Sequence, residues 1–314
     1  MSVLISGSVA FDTVMVFPGQ FKDHILPDRV HMLSVSFLVP QMRRNFGGVA
    51  GNIAYNLSLL GVKAEILATV GDDFAPYAEW LKQHQISIAS IKTIKGTYTA
   101  QAFITTDQSD NQITAFHPGA MEHSGELSLP AGTYRTGLVG PDSKAAMENR
   151  MHALHQAGIE AIFDPGQGLP MFNGDELKAL ISKASLVIVN DYEAQLVEER
   201  TGYTPADITQ HCEAYIVTKG GEGSVIYSKG QQHIIPVIPA AAVVDPTGCG
   251  DAFRSGILAG RVLGWNLVQS ARVGSIMGSE KIAHSGTQNH TLKMSDVAAR
   301  YQRFFNEPLT ALSV

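Results

Sequence analysis

Residues 243–264, VVDPTGCGDAFRSGILAGRVLG, gather the residue types that handle anions and protons. Val243-Val244 ends a strand-like stretch, Asp245-Pro246-Thr247 turns the chain, and Gly248-Cys249-Gly250 opens a helix expected to start near Asp251. A glycine-rich turn entering a helix presents unpaired N–H groups at the positive end of the macrodipole, which makes an anion site. Asp251 stands at the same spot and has two readings. It stabilises the helix N-terminus by under ~1 kcal/mol, or it takes a proton from a hydroxyl while the amides hold an incoming phosphoryl group. Phosphoryl transfer needs positioning, charge neutralisation and a base near the nucleophile. The chain has no GxxxxGK(S/T) loop and neither an HRD nor a DFG motif, so P-loop and protein-kinase machinery are excluded.

Such a site has to be delivered to the edge of a scaffold. The chain repeats one phrase: a short apolar run ends in small or polar residues, and a helical stretch follows. Val3-Leu4-Ile5 ends at Ser6-Gly7-Ser8, Leu138-Val139 at Gly140-Pro141-Asp142, and Ala161-Ile162-Phe163 at Asp164-Pro165-Gly166. Leu186-Val187-Ile188-Val189 ends at Asn190-Asp191, and Tyr215-Ile216-Val217 at Thr218-Lys219-Gly220. Continuous apolar runs suit strands buried on both faces. Helices are expected at 51–60, 74–84, 143–157, 174–183 and 192–200. The alternation predicts an α/β fold, with a mostly parallel central sheet and helices on both faces. In such sheets ligands lie outside the carboxyl ends of the strands, so the residues ending each run are site candidates. Any one of them is also an ordinary strand terminator.

Two segments break the rhythm. Residues 13–45 hold Val14-Met15-Val16, a loop with Pro18, Pro27 and Asp28, and an extended stretch at 34–39. Residues 99–106 and 112–117 flank a polar turn, a hairpin pattern. Both read as extra antiparallel strands forming a small lid or an ordinary edge hairpin. The expected division is an α/β nucleotide-binding and catalytic domain at 1–12, 46–95 and 120–314, and a β lid at 13–45 and 96–119.

Composition narrows the field. Of 314 residues, 45% are hydrophobic and 17% charged, which excludes intrinsic disorder. Lys and Arg number 23 against 29 Asp and Glu, a net charge of −6, so no nucleic-acid partner is expected. No stretch reaches the ~18 apolar residues of a membrane helix. The run Val3-Leu4-Ile5 is too short for a signal sequence and lacks a basic flank, so a cytoplasmic location is expected. Of two cysteines, Cys212 reads as structural, and neither belongs to a zinc motif.

The run Asp245 to Phe253, D-x-T-G-x-G-D-x-F, resembles the signature of the ribokinase-like (PfkB) family of carbohydrate and nucleoside kinases. Four further elements follow the family's order: Gly7-Ser8-Val9-Ala10-Phe11-Asp12, Gly47-Gly48-Val49-Ala50-Gly51-Asn52, Asn190-Asp191-Tyr192-Glu193, and Thr218-Lys219-Gly220-Gly221 with Gly223. The resemblance implies a ribokinase-like three-layer fold and an ATP-dependent kinase. It implies Asp251 as the base, and Gly248, Cys249 and Gly250 as the backbone anion hole. Cys249 stands where alanine is commonest in the family, and its thiol reads as packing. Ser8, Asp12, Gly47, Gly48 and Asn52 match positions around the sugar hydroxyls. Asn190, Glu193, Thr218, Lys219, Gly220 and Gly223 match the nucleotide site, with Glu193 facing Mg²⁺ through water. Asp245, the Thr247 carbonyl and Gly286 match a monovalent-cation site, for which K⁺ is expected.

Phe116-His117-Pro118-Gly119-Ala120-Met121, Asp164-Pro165-Gly166-Gln167 and Arg254 are similar to the bacterial adenosine and broad-specificity nucleoside kinase branch. That likeness implies that Phe116 and Phe103 stack on a base and that Gln167 bonds base or ribose. The expected reaction is phosphorylation of the 5′-hydroxyl of adenosine and other purine nucleosides, in purine salvage, by a monomer or homodimer. A ribose or fructose kinase is the alternative within the family, and a non-catalytic nucleoside sensor the alternative outside enzymes.

Overall fold

The structure, a computed structural model, describes residues 2–25, 34–109 and 111–310. Nine strands form one sheet. β1 (Ser2–Ser6) is at its heart, flanked on one side by β4 (Ala64–Val70) and the short β5 (Ile91–Thr93). On the other side follow β8 (Tyr134–Val139), β9 (Glu160–Phe163), β10 (Leu186–Asn190) and β11 (Ala214–Thr218), all parallel. β12 (Ser224–Ser228) and β13 (Gln231–Ile235) finish this side as an antiparallel pair. The five apolar runs singled out in the sequence are therefore five neighbouring strands, and their polar ends share one edge.

Strand pleating sends alternate residues to opposite faces. Val3, Ile5, Leu186 and Ile188 join one apolar core, and Leu4, Val187 and Val189 the other. The first core is closed by α1 (Val49–Leu59), α2 (Ala75–Gln83), α7 (Cys249–Leu263), α8 (Leu267–Ile282) and α9 (Met294–Phe305), through Ile53, Leu81, Ile257, Ile276 and Tyr301. The second is closed by α3 (Lys144–Gln156), α4 (Gly174–Ile181), α5 (Asp191–Thr201) and α6 (Pro205–His211), through Met147, Leu177, Val197 and Ile208. Among the described residues no helix is long and apolar enough to cross a membrane.

Two arginines fix the direction of α7. Arg254, near its start, lies against Asp164 just beyond the C-terminal end of β9, and Arg261, near its end, lies against Glu160 at the N-terminal end of that strand. The helix therefore runs antiparallel to the strands, and its N-terminus arrives at their carboxyl edge.

The second sheet has four strands in the order β3 (Gln41–Gly47), β2 (Ala10–Val16), β6 (Ala100–Thr106), β7 (Gln112–His117). Its hairpin lies where the sequence placed it. Three expectations change. β2 pairs in parallel with β6, so the small sheet is mixed rather than wholly antiparallel. Residues 34–39 form no strand, and the pairing strand begins at Gln41. Val243-Val244 is exposed and lies outside any strand, because the Val244 and Asp245 amides bond the Ile282 carbonyl at the end of α8 instead of a sheet neighbour. Pro27 and Asp28 lie outside the described residues.

Candidate active site

The N-terminus of α7 begins two residues earlier than the sequence suggested, at Cys249, with Gly248 as its cap. Gly248 has φ of 80°, and a Cβ there would press on the Thr287 side chain at 3.0 Å, so the turn requires glycine. The Cys249 N–H turns back onto the Pro246 carbonyl at 3.1 Å. Cys249 was expected in the anion hole; its amide is spent on the turn. No protein acceptor reaches the Gly248 or Gly250 N–H among the described residues, and Gly250 is exposed. The Cys249 thiol is pushed up to about 11, first by burial, with Lys281 opposing, and so stays protonated at neutral pH.

Asp251 follows directly. Burial raises its pKa to about 7; the Asn52 hydrogen bond and Arg254 act against that, while Asp164 and Asp12 add to it. Its Oδ2 accepts from Asn52 Nδ2 at 2.8 Å. Asn52 is fixed in turn: its Oδ1 accepts from Gln288 Nε2 at 3.0 Å. Gln288 Nε2 also donates to the Tyr77 hydroxyl at 2.6 Å, and Gln288 Oε1 accepts from Trp80 Nε1 at 2.9 Å. Tyr77 spends its own proton on the Gly47 carbonyl at 2.8 Å. An indole N–H only donates and a carbonyl only accepts. Trp80 and Gly47 therefore fix the polarity of the amide chain, so that Asn52 always turns an N–H toward Asp251. Arg254 holds the Asp164 carboxylate, donating from Nη2 to Oδ1 at 2.6 Å, and reaches the Gly250 carbonyl at 3.1 Å. Both charges of this pair are buried.

The small sheet brings Asp12 to the same place. Burial, then the Asp245 charge, push Asp12 up to about 6. Gly47 lies directly against its carboxylate, where any side chain would collide. Gly48 (φ 82°) caps α1, and a Cβ would sit 2.5 Å from the Ser8 carbonyl. Ser8 caps the same helix, Oγ accepting from Val49 N–H at 3.1 Å and the carbonyl from Ala50 N–H at 2.9 Å. The strand register separates the two phenylalanines. Asp12 pairs with Ala102, and Ala102 with Phe116, so Asp12 and Phe116 share a face. Phe103 pairs with Ala115 and Thr13 and points to the opposite face. Gln167 is exposed on the turn beyond β9.

The nucleotide candidates sit two strands away. Asn190 and Thr218 are register partners at the ends of β10 and β11. Asn190 and Glu193 form a capping box on α5, Asn190 Oδ1 accepting from the Glu193 amide at 2.7 Å and Glu193 Oε2 from the Asn190 amide at 2.8 Å. This leaves Glu193 Oε1 and the Asn190 NH₂ group for a ligand. Burial raises the Glu193 pKa, helped by Asp164. Lys219, Gly220 and Gly223 make the tight turn from β11 to β12, closed by the Lys219 N–H on the Gly223 carbonyl at 2.8 Å. Among the described residues no three His, Cys, Asp or Glu side chains are grouped to hold a metal ion.

Comparison with known proteins adds a decisive observation: residues 9–294 match the profile of the pfkB family carbohydrate kinases. The chain belongs to that family. It is 33% identical over 273 residues to a nucleoside kinase of Methanocaldococcus jannaschii, covering 86% of this chain and 90% of that one. The Burkholderia thailandensis nucleoside kinase in complex with inosine is similar with a TM-score of 0.89 and 43% identity, over 98% of this chain and 99% of that one. The same enzyme in complex with ADP-inosine gives 0.88 and 44%, over 100% and 99%. As a pfkB kinase with the ribokinase-like fold, the chain is a phosphotransferase acting on a hydroxyl group.

In this pfkB kinase the structure adds residues that the sequence did not single out. Gln288 lies more than 200 residues from Tyr77 and Trp80, neighbours on one turn of α2, and no motif joins them. Asp164 was read as a strand end and as part of the Asp164–Gln167 element, without its pairing to Arg254. Asn45 shares the face of Asp12 and reaches Gly286.

Proposed function

We propose that this kinase transfers the γ-phosphoryl group of ATP to the 5′-hydroxyl of purine nucleosides, adenosine and inosine among them, as a step of purine salvage. The observation that carries the chemistry is the Asp251–Asn52 pair at the α7 N-terminus, beside the free Gly248 and Gly250 amides. The acceptor class rests on the likeness to the inosine-bound B. thailandensis enzyme and on Phe116, exposed and on the Asp12 face.

Asp251 takes the proton of the 5′-hydroxyl, and the oxygen attacks the γ-phosphorus as ADP leaves. With a pKa of about 7, Asp251 is ionised enough to accept the proton and basic enough to hold it. The Gly248 and Gly250 amides face the charge on the transferred group. Asp12 accepts from the ribose hydroxyls. A ribose lacking them leaves that half-buried carboxylate unpaired, which disfavours deoxy analogues. Phe116 offers an apolar face to the base. The Asn190 NH₂ suits a phosphate oxygen. Glu193 Oε1 suits a hydrated Mg²⁺ arriving with the nucleotide, since Mg²⁺ keeps several waters and uses few carboxylates. The ion would offset phosphate charge.

ADP formation across nucleosides and free sugars tests this reading. Adenosine or inosine turnover should exceed ribose and fructose turnover by orders of magnitude; the reverse ranking makes this a sugar kinase. Asp251→Asn should lose about 10³-fold or more in kcat while nucleoside still binds by calorimetry.

A further inference from the structure

The monovalent-cation site implied by the family resemblance is already spoken for. Lys281, near the end of α8, has no exposed surface. Its ammonium donates to the Asp245 carbonyl at 2.7 Å and to the His284 carbonyl at 3.1 Å. The Asp245 carboxylate, the one charged ligand the site would offer, accepts instead from the Thr247 amide at 2.9 Å and the Gly286 amide at 2.9 Å. An added metal ion would have to share the Asp245 carboxylate with those amides and the Asp245 carbonyl with a buried positive charge, at low dielectric. The residues present do not fit it.

They fit a cation supplied by the chain. A buried ammonium is costly unless its charge is compensated. Burial lowers the Lys281 pKa, while Asp245, Cys249 and Asp251 act in the opposite direction. The ammonium holds the carbonyl of Asp245, three residues before Gly248, on the same turn that ends in the free amides. It ties that turn to the 284–286 loop, the junction the expected K⁺ would have tied.

We propose that Lys281 serves as a built-in monovalent cation, holding the 245–250 turn and adding positive charge behind its free amides, so that this kinase needs no K⁺. The proposal rests on the phosphotransfer reading above and concerns only how its anion hole is held and charged.

The test compares about 100 mM KCl with the same concentration of tetramethylammonium chloride, at equal screening. For the unaltered protein, both kcat and Tm should be the same in the two salts. Lys281→Met should lose ~100-fold in kcat in tetramethylammonium, the scale of removing an electrostatic contributor to an anion hole. It should regain at least ~10-fold in K⁺, saturably, with a rise in Tm as the vacated site binds the ion. Activation of the unaltered enzyme by K⁺ of about 5-fold or more overturns the proposal, as does a Lys281→Met protein with full turnover in tetramethylammonium or with no response to K⁺ in either readout. A residue that only caps α8 would lower Tm without creating a K⁺ response. Should Lys281→Met fail to fold, the salt comparison on the unaltered protein still decides. If no acceptor yields ADP, the kinase reading has failed, while the Tm comparison continues to report on the cation site.

Discussion

The pKa of Asp251 is set by burial, which raises it, against the Asn52 hydrogen bond and the Arg254 charge, which lower it. Asp251 announced itself through the glycines before it, but its working environment did not, because Asn52 reaches it from a distant segment and is itself held by Gln288 from another. The proposed role of Asp251 as base, with a pKa of about 7, predicts that kcat/KM rises with pH through that value, since a base acts in its ionised form. Gln288→Leu releases Asn52 to rotate, so Asp251 loses its guaranteed donor; the acid limb of the kcat/KM profile should move to higher pH. The same shift carries a stability cost. Folded Asp251 keeps its proton up to about 7, while the unfolded group releases it near the ordinary aspartate value of 3.8, so stability falls as pH rises through that window. Asp251→Asn is therefore expected to raise Tm at pH 8 and to change it little below pH 4, by differential scanning calorimetry. The two phenylalanines could not be told apart by composition; strand register separates them. Base stacking on an aromatic ring is worth ~1–3 kcal/mol, so Phe116→Ala should raise the nucleoside KM by roughly 5- to 150-fold. Phe103→Ala should leave it nearly unchanged, and equal effects of the two would contradict the register argument.

Elements were legible where local sequence decides them. The parallel strands read as apolar runs because both their faces are buried, and the hairpin read as alternation around a polar turn. Val243-Val244 misled for the same reason: two apolar β-branched residues look like a strand, yet backbone bonding to Ile282 leaves them exposed. The partners of α7 were invisible, since Glu160 and Asp164 are ordinary polar residues until β9 comes alongside. Arg254 and Arg261 should behave differently. Arg254→Ala leaves the Asp164 charge buried and alone, which costs ~3–5 kcal/mol. Arg261 and Glu213 keep more solvent contact, so Arg261→Ala should cost less, about 1 kcal/mol. Urea denaturation of the two variants checks the order, and a larger loss at Arg261 would reverse it.

At the scale of the molecule, a chain of net charge −6 looked poorly suited to a polyanionic ligand. The architecture removes the difficulty: strand ends and the α7 N-terminus gather backbone N–H groups at one edge, and Lys281 places a buried positive charge there that the overall net charge does not locate. The clamp between β9 and α7 has a consequence for how the chain can change length. Glu160 and Asp164 are ~13 Å apart along a strand of ~3.3 Å rise, and Arg254 and Arg261 ~10.5 Å apart along a helix of 1.5 Å rise. The two spans are gauged against each other like matched rulers. One inserted residue between Arg254 and Arg261 swings the second arginine by ~100° about the helix axis, so only one end of α7 remains pinned. An alanine inserted after Gly256 should abolish turnover even though no site residue is altered. The same insertion at the exposed Lys229-Gly230 turn should leave activity intact. Growth and loss of residues in this enzyme are thus confined to its turns, and the catalytic edge inherits its precision from two lengths that cannot drift independently.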